Sequence, residues 1–342
     1  MAKRKAFRIR DIARESGASL TTVSLVLNQR DERISESTRQ RVLAAAQRLG
    51  YQPSRLAQGL QSQKTGILAV LVPELQHVFA DVYFGELLSA IHDHASAVNY
   101  KVLLEVAHPD FVSQAKHIEL FDRDYVDGVL CIGVTNKDDY LVDFEDRSRP
   151  AIIVNNHLPA RKLNFVRCDY EEAGRLAAQY LLGLGHRRFG LIHGAPEVQT
   201  SLDWRAGVLM ALAAAGIGPT PDHLADGLYT EEGGFDAAIE LLRRDPAITA
   251  ILTGNDKMAI GALRGIKKSG RGVPLDVSVV GCDGIHLSAF TDPALTTVHT
   301  PLYDIGREAC RLLLDLVDNR IDRAEVVRPV SLTVRESAAP AT

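Results

Sequence analysis

The 342-residue sequence is poor in tryptophan (one), methionine (three) and cysteine (four), and no apolar run approaches the roughly 18 residues needed to cross a bilayer. It reads as a soluble chain. The basic stretch MAKRKAF is followed by no apolar segment of the kind a secretory signal requires, so the cytoplasm is the expected compartment and no membrane partner is expected. Cys131, Cys168, Cys282 and Cys310 lie far apart without a CxxC pair, which favours buried thiols over a metal or redox site. The signatures of several enzyme chemistries are also missing. There is no GxGxxG after a strand pattern, no GxxxxGKS or GxxxxGKT, no HExxH and no GxSxG. The HPD of His108 to Asp110 and the pair Asp138 and Asp139 fall on a predicted loop and a helix start, where they read as solvated or capping. The expectation is a binding protein with no metal and no cofactor, not an enzyme.

Length and charge then divide the chain. A sequence of 342 residues predicts two or three domains. The formal net charge of −4 conceals two opposite parts, because residues 1–63 carry twelve Lys/Arg against five Asp/Glu, leaving 27 and 38 for the rest. The basic part is small and suited to a polyanion.

In that part Ile9, Ile12 and Ala13 have helical spacing that stops at Gly17, and Ser19 is placed to cap a second helix with Val23, Val26 and Leu27 on its apolar face. A third helix is predicted from Ser35, with Glu36 in its first turn, Val42, Ala46 and Leu49 on its apolar face and Gly50 at its end. The second helix would expose Leu20, Thr21, Ser24, Leu25 and Asn28, as the major-groove helix of a helix-turn-helix does. Any three-helix bundle with a charged surface would share the periodicity; the charge split favours the DNA reader. Farther on, SRLAQGLQSQKTG (residues 54–66) is too short to be a stable helix alone, and reads either as a linker or as a segment ordered by a partner.

From Thr65 apolar runs alternate with amphipathic helices in two successive series, which predicts two α/β lobes with parallel sheets and a cleft between them. In such sheets ligands bind beyond the carboxyl ends of the strands. Asn155 and Asn156, His193, Asn255 and Asp256, and Asp283 stand at those positions, a set of amides and acids suited to the hydroxyls of a sugar. Each taken alone also reads as a helix cap or loop residue.

The residues DIARESGASLTTVSLVLN followed by ISESTRQRVLAAAQRLGYQPSRLAQGL resemble the head and hinge of the lactose-repressor (LacI/GalR) family, and GNDKMAIGAL with VSVVGCDG resembles its effector domain. The resemblance implies an N-terminal all-α helix-turn-helix head (1–52), a hinge helix (53–63) and an α/β two-lobed periplasmic-binding-protein-like effector domain (64–342). Lobe 1 would hold about 64–161 and 291–320, and lobe 2 about 162–290 and 321–342. It implies a repressor acting as a homodimer on palindromic double-stranded operator DNA, under control of a small effector, most simply a carbohydrate. Ser19, Thr22, Ser24, Asn28, Thr38, Tyr51, Ser54 and Arg55 would hold the DNA backbone, and Leu20, Thr21 and Leu25 would face the bases. Ala57 and Leu60 would form the minor-groove wedge. Leu25 departs from the arginine many members carry; leucine either touches a thymine methyl or packs. Phe79, Asp81, Tyr83, Asn155, Asn255 and Asp283 would face the effector. The family's ligand-binding arginine falls at Trp204, so that either Arg205 takes its place or Trp204 stacks on the ligand or packs in the core. No leucine heptad follows VVRPVSLTVRES, so the tetramer-forming tail of some relatives is not expected.

Overall fold

The computed structural model describes residues 7–27, 34–51, 64–74, 78–123, 125–146 and 149–341, which form two units divided after Thr65. The first unit holds helices α1 (Ile9–Ser16), α2 (Leu20–Leu27) and α3 (Glu36–Arg48). Their ends follow from local chemistry. Gly17 takes the left-handed conformation at φ 66° that closes α1, and the Ser19 hydroxyl accepts the Thr22 amide at 3.0 Å to open α2. Ser35 opens α3 in the same way, accepting from the Thr38 amide at 3.4 Å. The three apolar faces close on a core of Ile12, Val23, Val26, Val42, Ala45 and Ala46.

The second unit begins at Gly66 with β1 (Ile67–Pro73), α4 (Val82–Ala97), β2 (Lys101–Ala107), α5 (Pro109–Ser113) and α6 (Lys116–Asp122). β3 (Gly128–Ile132), α7 (Val142–Asp146), β4 (Ala151–Val154) and β5 (Asn164–Cys168) follow. The second series is α8 (Tyr170–Gly183), β6 (Phe189–His193), α9 (Gln199–Ala214), β7 (Leu224–Asp226), α10 (Glu231–Arg244) and β8 (Ala250–Thr253). It continues through α11 (Asp256–Lys268), β9 (Ser278–Asp283) and β10 (Thr296–His299). The chain ends with α12 (Leu302–Val317), β11 (Glu325–Arg328) and β12 (Ser331–Thr333). Two six-stranded sheets result, in the orders β11-β5-β4-β3-β1-β2 and β12-β10-β9-β8-β6-β7. All pairings are parallel except β12 against β10. The apolar strands are buried on both faces, as the continuous runs predict.

The sheets correct the predicted lobe boundaries. β5 pairs with β4 in the first sheet, so the chain leaves lobe 1 after Cys168 and not near residue 161. β10 still belongs to the second sheet, which moves the return from residue 290 to the segment between His299 and Leu302. β11 pairs with β5, so the last crossing lies between Arg328 and Ser331 instead of near 321. β5 (NFVRC) and β11 (EVVR) hold only two apolar residues in a row between polar ones and are only partly buried, so they lack the continuous run by which the other strands are recognised.

Within lobe 2 two helix pairs touch backbone to backbone. A Cβ added at Gly207 of α9 would lie 1.9 Å from the Glu171 carbonyl oxygen of α8, and one at Gly261 of α11 would lie 1.9 Å from the Glu231 carbonyl oxygen of α10. Only glycine permits these crossings. They set the close approach of α9 to α8 and of α11 to α10; the first turns of α9 and α11 carry Ser201 and Lys257 to the cavity between the lobes. Among the described residues no helix is long and apolar enough to cross a membrane.

Candidate functional site

The first unit exposes one side of α2. Leu20 is 54% exposed at the first position of α2, Thr21 is exposed beside it, and Ser24 and Leu25 are half-buried one turn on. Leu25 does not join the side chains packed on the core, so it stays on the outward side of α2. The Thr22 hydroxyl lies 2.8 Å from that of Ser19 at the exposed start of α2. Thr38 accepts from the Ser35 hydroxyl at 2.9 Å, and Tyr51 packs against the core beside Leu49. Asn28, Ser54, Arg55, Ala57 and Leu60, expected on the same DNA-facing set, lie outside the described residues.

The second unit holds a cavity of about 370 Å³ lined from both lobes. Lobe 1 contributes Asp81, Tyr83, Asn155 and Asn156; lobe 2 contributes Tyr170, Ser201, Tyr229, Asn255, Lys257 and Asp283. Strand ends supply several of these. Asn155 and Asn156 follow β4, Asn255 follows β8, and Asp283 ends β9. Two of them take the left-handed region, Asn155 at φ 53° and Asp283 at φ 111°, backbone strain of a kind that gathers at ligand sites.

Hydrogen bonds separate the groups free to meet a ligand from those already occupied. The Asn155 amide donates to the hydroxyls of Tyr83 at 3.2 Å and Tyr170 at 2.8 Å, and its oxygen accepts the Cys168 amide at 3.1 Å. It therefore orients two tyrosines, leaving their own O–H groups free to donate. Asn156 is bound to the Val134 carbonyl and the His157 amide. Asn255 caps α11, accepting from Met258 at 2.8 Å, and also lines the cavity. The Asp283 carboxyl is 7% exposed, and no hydrogen bond reaches it among the described residues. Burial, then the neighbouring Asp256, Asp81 and Glu86, push its pKa well above the carboxylate range. Tyr83, Tyr170 and Tyr229 are likewise raised, chiefly by burial, and stay protonated.

Asp81 and Lys257 join the lobes across the cavity. One Asp81 oxygen caps α4 by accepting the Tyr83 amide at 2.9 Å; the other lies 2.6 Å from the Lys257 ammonium in the first turn of α11. A second bridge between lobes runs from Asn136 to Gln199 at 3.2 Å and from Gln199 to Asp203 at 2.7 Å.

Four expected ligand positions lie elsewhere. Trp204 is 1% exposed and lies in the core, its backbone against Gly174, so it neither lines the cavity nor stacks on its contents. Ser201, one turn earlier on the same face of α9, takes the lining position. Arg205 is half-buried and, although it follows Ser201 by one turn on the same side of the helix, is not among the residues that line the cavity. His193 folds back to the Gly194 carbonyl at 2.8 Å. Asp256 is fully buried, accepting the Thr297 hydroxyl at 2.5 Å and the Ile285 amide at 2.9 Å, with its pKa raised by burial to about 7. The side chain of Phe79 lies outside the described residues.

The sequence reading did not place Tyr170, Ser201, Tyr229 or Lys257 in the site. Lys257 sits beside Asn255 and Asp256, which their strand-end position singled out, whereas Tyr170 follows β5, a strand without a continuous apolar run to announce it. Tyr229 lies in a loop and covers Gly194, where an added Cβ would fall 2.0 Å from its ring. All four cysteines are buried and free, and among the described residues no cluster of His, Cys, Asp or Glu is arranged to hold a metal.

A helix-turn-helix unit joined to a two-lobed α/β body with a ligand-sized cavity defines a DNA-binding regulator of the kind that answers to small molecules. Residues 8–54 match the lacI family of bacterial regulatory proteins, and residues 166–338 match the periplasmic binding protein-like domain. The catabolite control protein A of Priestia megaterium is 31% identical over 334 residues, 96% of this chain and 98% of its own. The lac repressor dimer bound to operator and the anti-inducer ONPF superposes with a TM-score of 0.85 at 27% identity, covering 98% of this chain and 100% of that one. The complex of the transcriptional regulator CelR with cellobiose gives 0.75 at 28% identity, covering 97% and 99%. The chain belongs to the LacI family of transcription regulators.

Proposed function

We propose that this protein is a cytoplasmic repressor that binds a palindromic operator as a homodimer through its first unit, and that a sugar or sugar derivative in the cavity controls that binding. The observation that carries the effector reading is the unpaired Asp283 carboxyl facing a cavity lined from both lobes. A ligand touching both sheets binds the closed arrangement of the lobes more tightly than the open one, and that difference in affinity is the source of control. The operator-bound lac repressor and the cellobiose-bound CelR supply the parallel. In the first unit Ser19, Thr22, Ser24, Thr38 and Tyr51, with Asn28, Ser54 and Arg55, hold the DNA backbone. Leu20, Thr21 and Leu25 read bases, and Ala57 and Leu60 enter the minor groove. Arginine at position 25 would take guanine bidentately; leucine instead favours a thymine methyl at that base. The activity is binding, not catalysis.

Fluorescence anisotropy with randomised palindromic duplexes tests the reading. The full chain should select a palindrome, with affinity falling steeply as salt rises, and a chain starting at Lys64 should select none. Absence of any sequence preference by the full chain at physiological salt would overturn it.

A further inference from the structure

A polar cluster spans the lobes outside the effector cavity. Lobe 1 supplies His157, which follows β4, and Arg167 of β5; lobe 2 supplies Asp203 of α9. None of the three lines the cavity. One Asp203 oxygen accepts from Gln199 at 2.7 Å. The other, Oδ2, faces His157 Nδ1 at 3.6 Å and a terminal guanidinium nitrogen of Arg167 at 3.8 Å. Both distances exceed a hydrogen bond. Asp203 Oδ2, His157 Nδ1 and Arg167 Nε are all buried without a hydrogen-bond partner among the described residues. Buried polar atoms are rarely left so. Three of them at one lobe boundary describe a contact that is assembled but not made, and an approach of the lobes by about 1 Å would bring Asp203 within reach of both partners.

The proton on His157 decides how strong that contact is. Burial, and after it the Arg167 guanidinium, hold the pKa of His157 below the ordinary histidine value, against the pull of Asp203, so the ring is neutral at pH 7 in this arrangement. The ring also lies 5.8 Å from that of Phe165. The charged groups flanking the cluster pair with each other, Arg161 with Asp139 at 3.2 Å and Lys137 with Glu197 at 3.9 Å. Closing the gap to Asp203 strengthens the one attraction that favours the imidazolium, and Nδ1 of an imidazolium always carries a proton to donate. The closed contact therefore binds the proton more tightly. Acid closes it, and the effect fades as pH rises past the pKa of the closed form. The first unit is silent in this range, because residues 1–63 hold no histidine and all eleven follow residue 76. We propose that His157, Arg167 and Asp203 form a proton-operated clasp between the lobes, by which pH acts on operator binding as a second input beside the effector. The coupling to DNA rests on the function proposed above; the clasp itself does not.

Trp204, the only tryptophan, adjoins Asp203 in α9 and is buried, so its fluorescence reports on this helix without DNA. In the full chain without effector, emission followed from pH 8 to 6 should show a step that His157→Gln and Asp203→Asn each remove and that Arg167→Lys, which keeps the charge, retains. Asp203→Asn is isosteric and still accepts from Gln199, so it serves where His157→Gln fails to fold. Operator affinity, by anisotropy at fixed salt on the palindrome the full chain selects, should change by about fivefold or more over the same range in the parent and by less than about twofold in either variant. Asp256 also titrates near neutrality, but it is buried within lobe 2, bound to Thr297 and Ile285. A profile that survives in both variants belongs to such a group and would overturn the proposal, as would a parent flat in both readouts. A step that depends on His157, with operator affinity indifferent to pH, would overturn the second input. Failure to select any palindrome would overturn the function proposed above, while the fluorescence titration still decides the clasp.

Discussion

The first unit closes its core with six buried side chains, whereas each lobe of the second packs a six-stranded sheet between helices. The recognition surfaces are opposed as well. α2 exposes Leu20 at 54%, on a unit rich in arginine, while the body places Asp283 at 7% exposure inside a cavity whose cation is already paired. A small basic unit with so slight a core is close to the limit of independent stability and depends on charge for affinity. The large acidic unit holds stored strain and buried carboxyls at its site without unfolding. One surface is basic and exposed and the other is enclosed and lined by carboxyls and phenols, which is why a single net charge describes neither.

Substitutions that damage one unit and spare the other sharpen this contrast. Ile12→Ala removes the largest buried side chain of the small core and should cost about 2–5 kcal/mol, enough to abolish operator binding while the body's melting transition stays in place. The next effect concerns pH. Asp256 holds its proton in the folded state up to about 7 and loses it at about 3.8 when unfolded, so the folded state binds the extra proton between these values. Its contribution to stability is therefore fully present at the acid end and declines as pH rises from about 4 to 7, by up to about 4 kcal/mol. Asp283, raised in the same direction, adds to this slope. Asp256→Asn can still accept from Ile285 and can donate to the Thr297 hydroxyl, so urea titrations of this variant at pH 5 and 8 should show a flatter dependence than the parent. Trp204→Phe should lower stability by about 1–2 kcal/mol in the same titration and leave sugar affinity unchanged, since the ring serves the core. Ser35→Ala removes the cap of α3 and should cost about 1 kcal/mol, read as a lower melting temperature of the first unit alone.

The first unit was almost wholly legible because its signals are local. Ser19 and Ser35 cap, Gly17 turns, and the helical spacing of Ile12, Val23 and Val42 marks the faces that meet. The body's strands were legible wherever burial on both faces made them continuous. β5 and β11 escaped because they pair at the partly exposed edge of a sheet. Of the residues at strand ends, Asn155, Asn156, Asn255 and Asp283 line the cavity and His193 and Asp256 do not, because sequence does not say which way a polar side chain turns. Asp283 turns into the cavity; Asp256, next to a lining asparagine, turns into the protein to hold the backbone at Ile285. Trp204 was placed by the phase of α9, which carries Ser201 to the cavity and the following turn to the core. Tyr229 could not be anticipated, because its place depends on a loop folding over Gly194.

The central claim is that occupancy of the cavity controls operator binding by the other unit. The most direct measurement is the operator affinity of the full chain, by anisotropy at fixed salt, with and without a saturating sugar that raises the melting temperature of the full chain. The account predicts that the sugar changes this affinity by about tenfold or more in the parent and leaves it unchanged in Asp283→Ala. A sugar that binds the parent at this cavity and leaves operator affinity the same would contradict it.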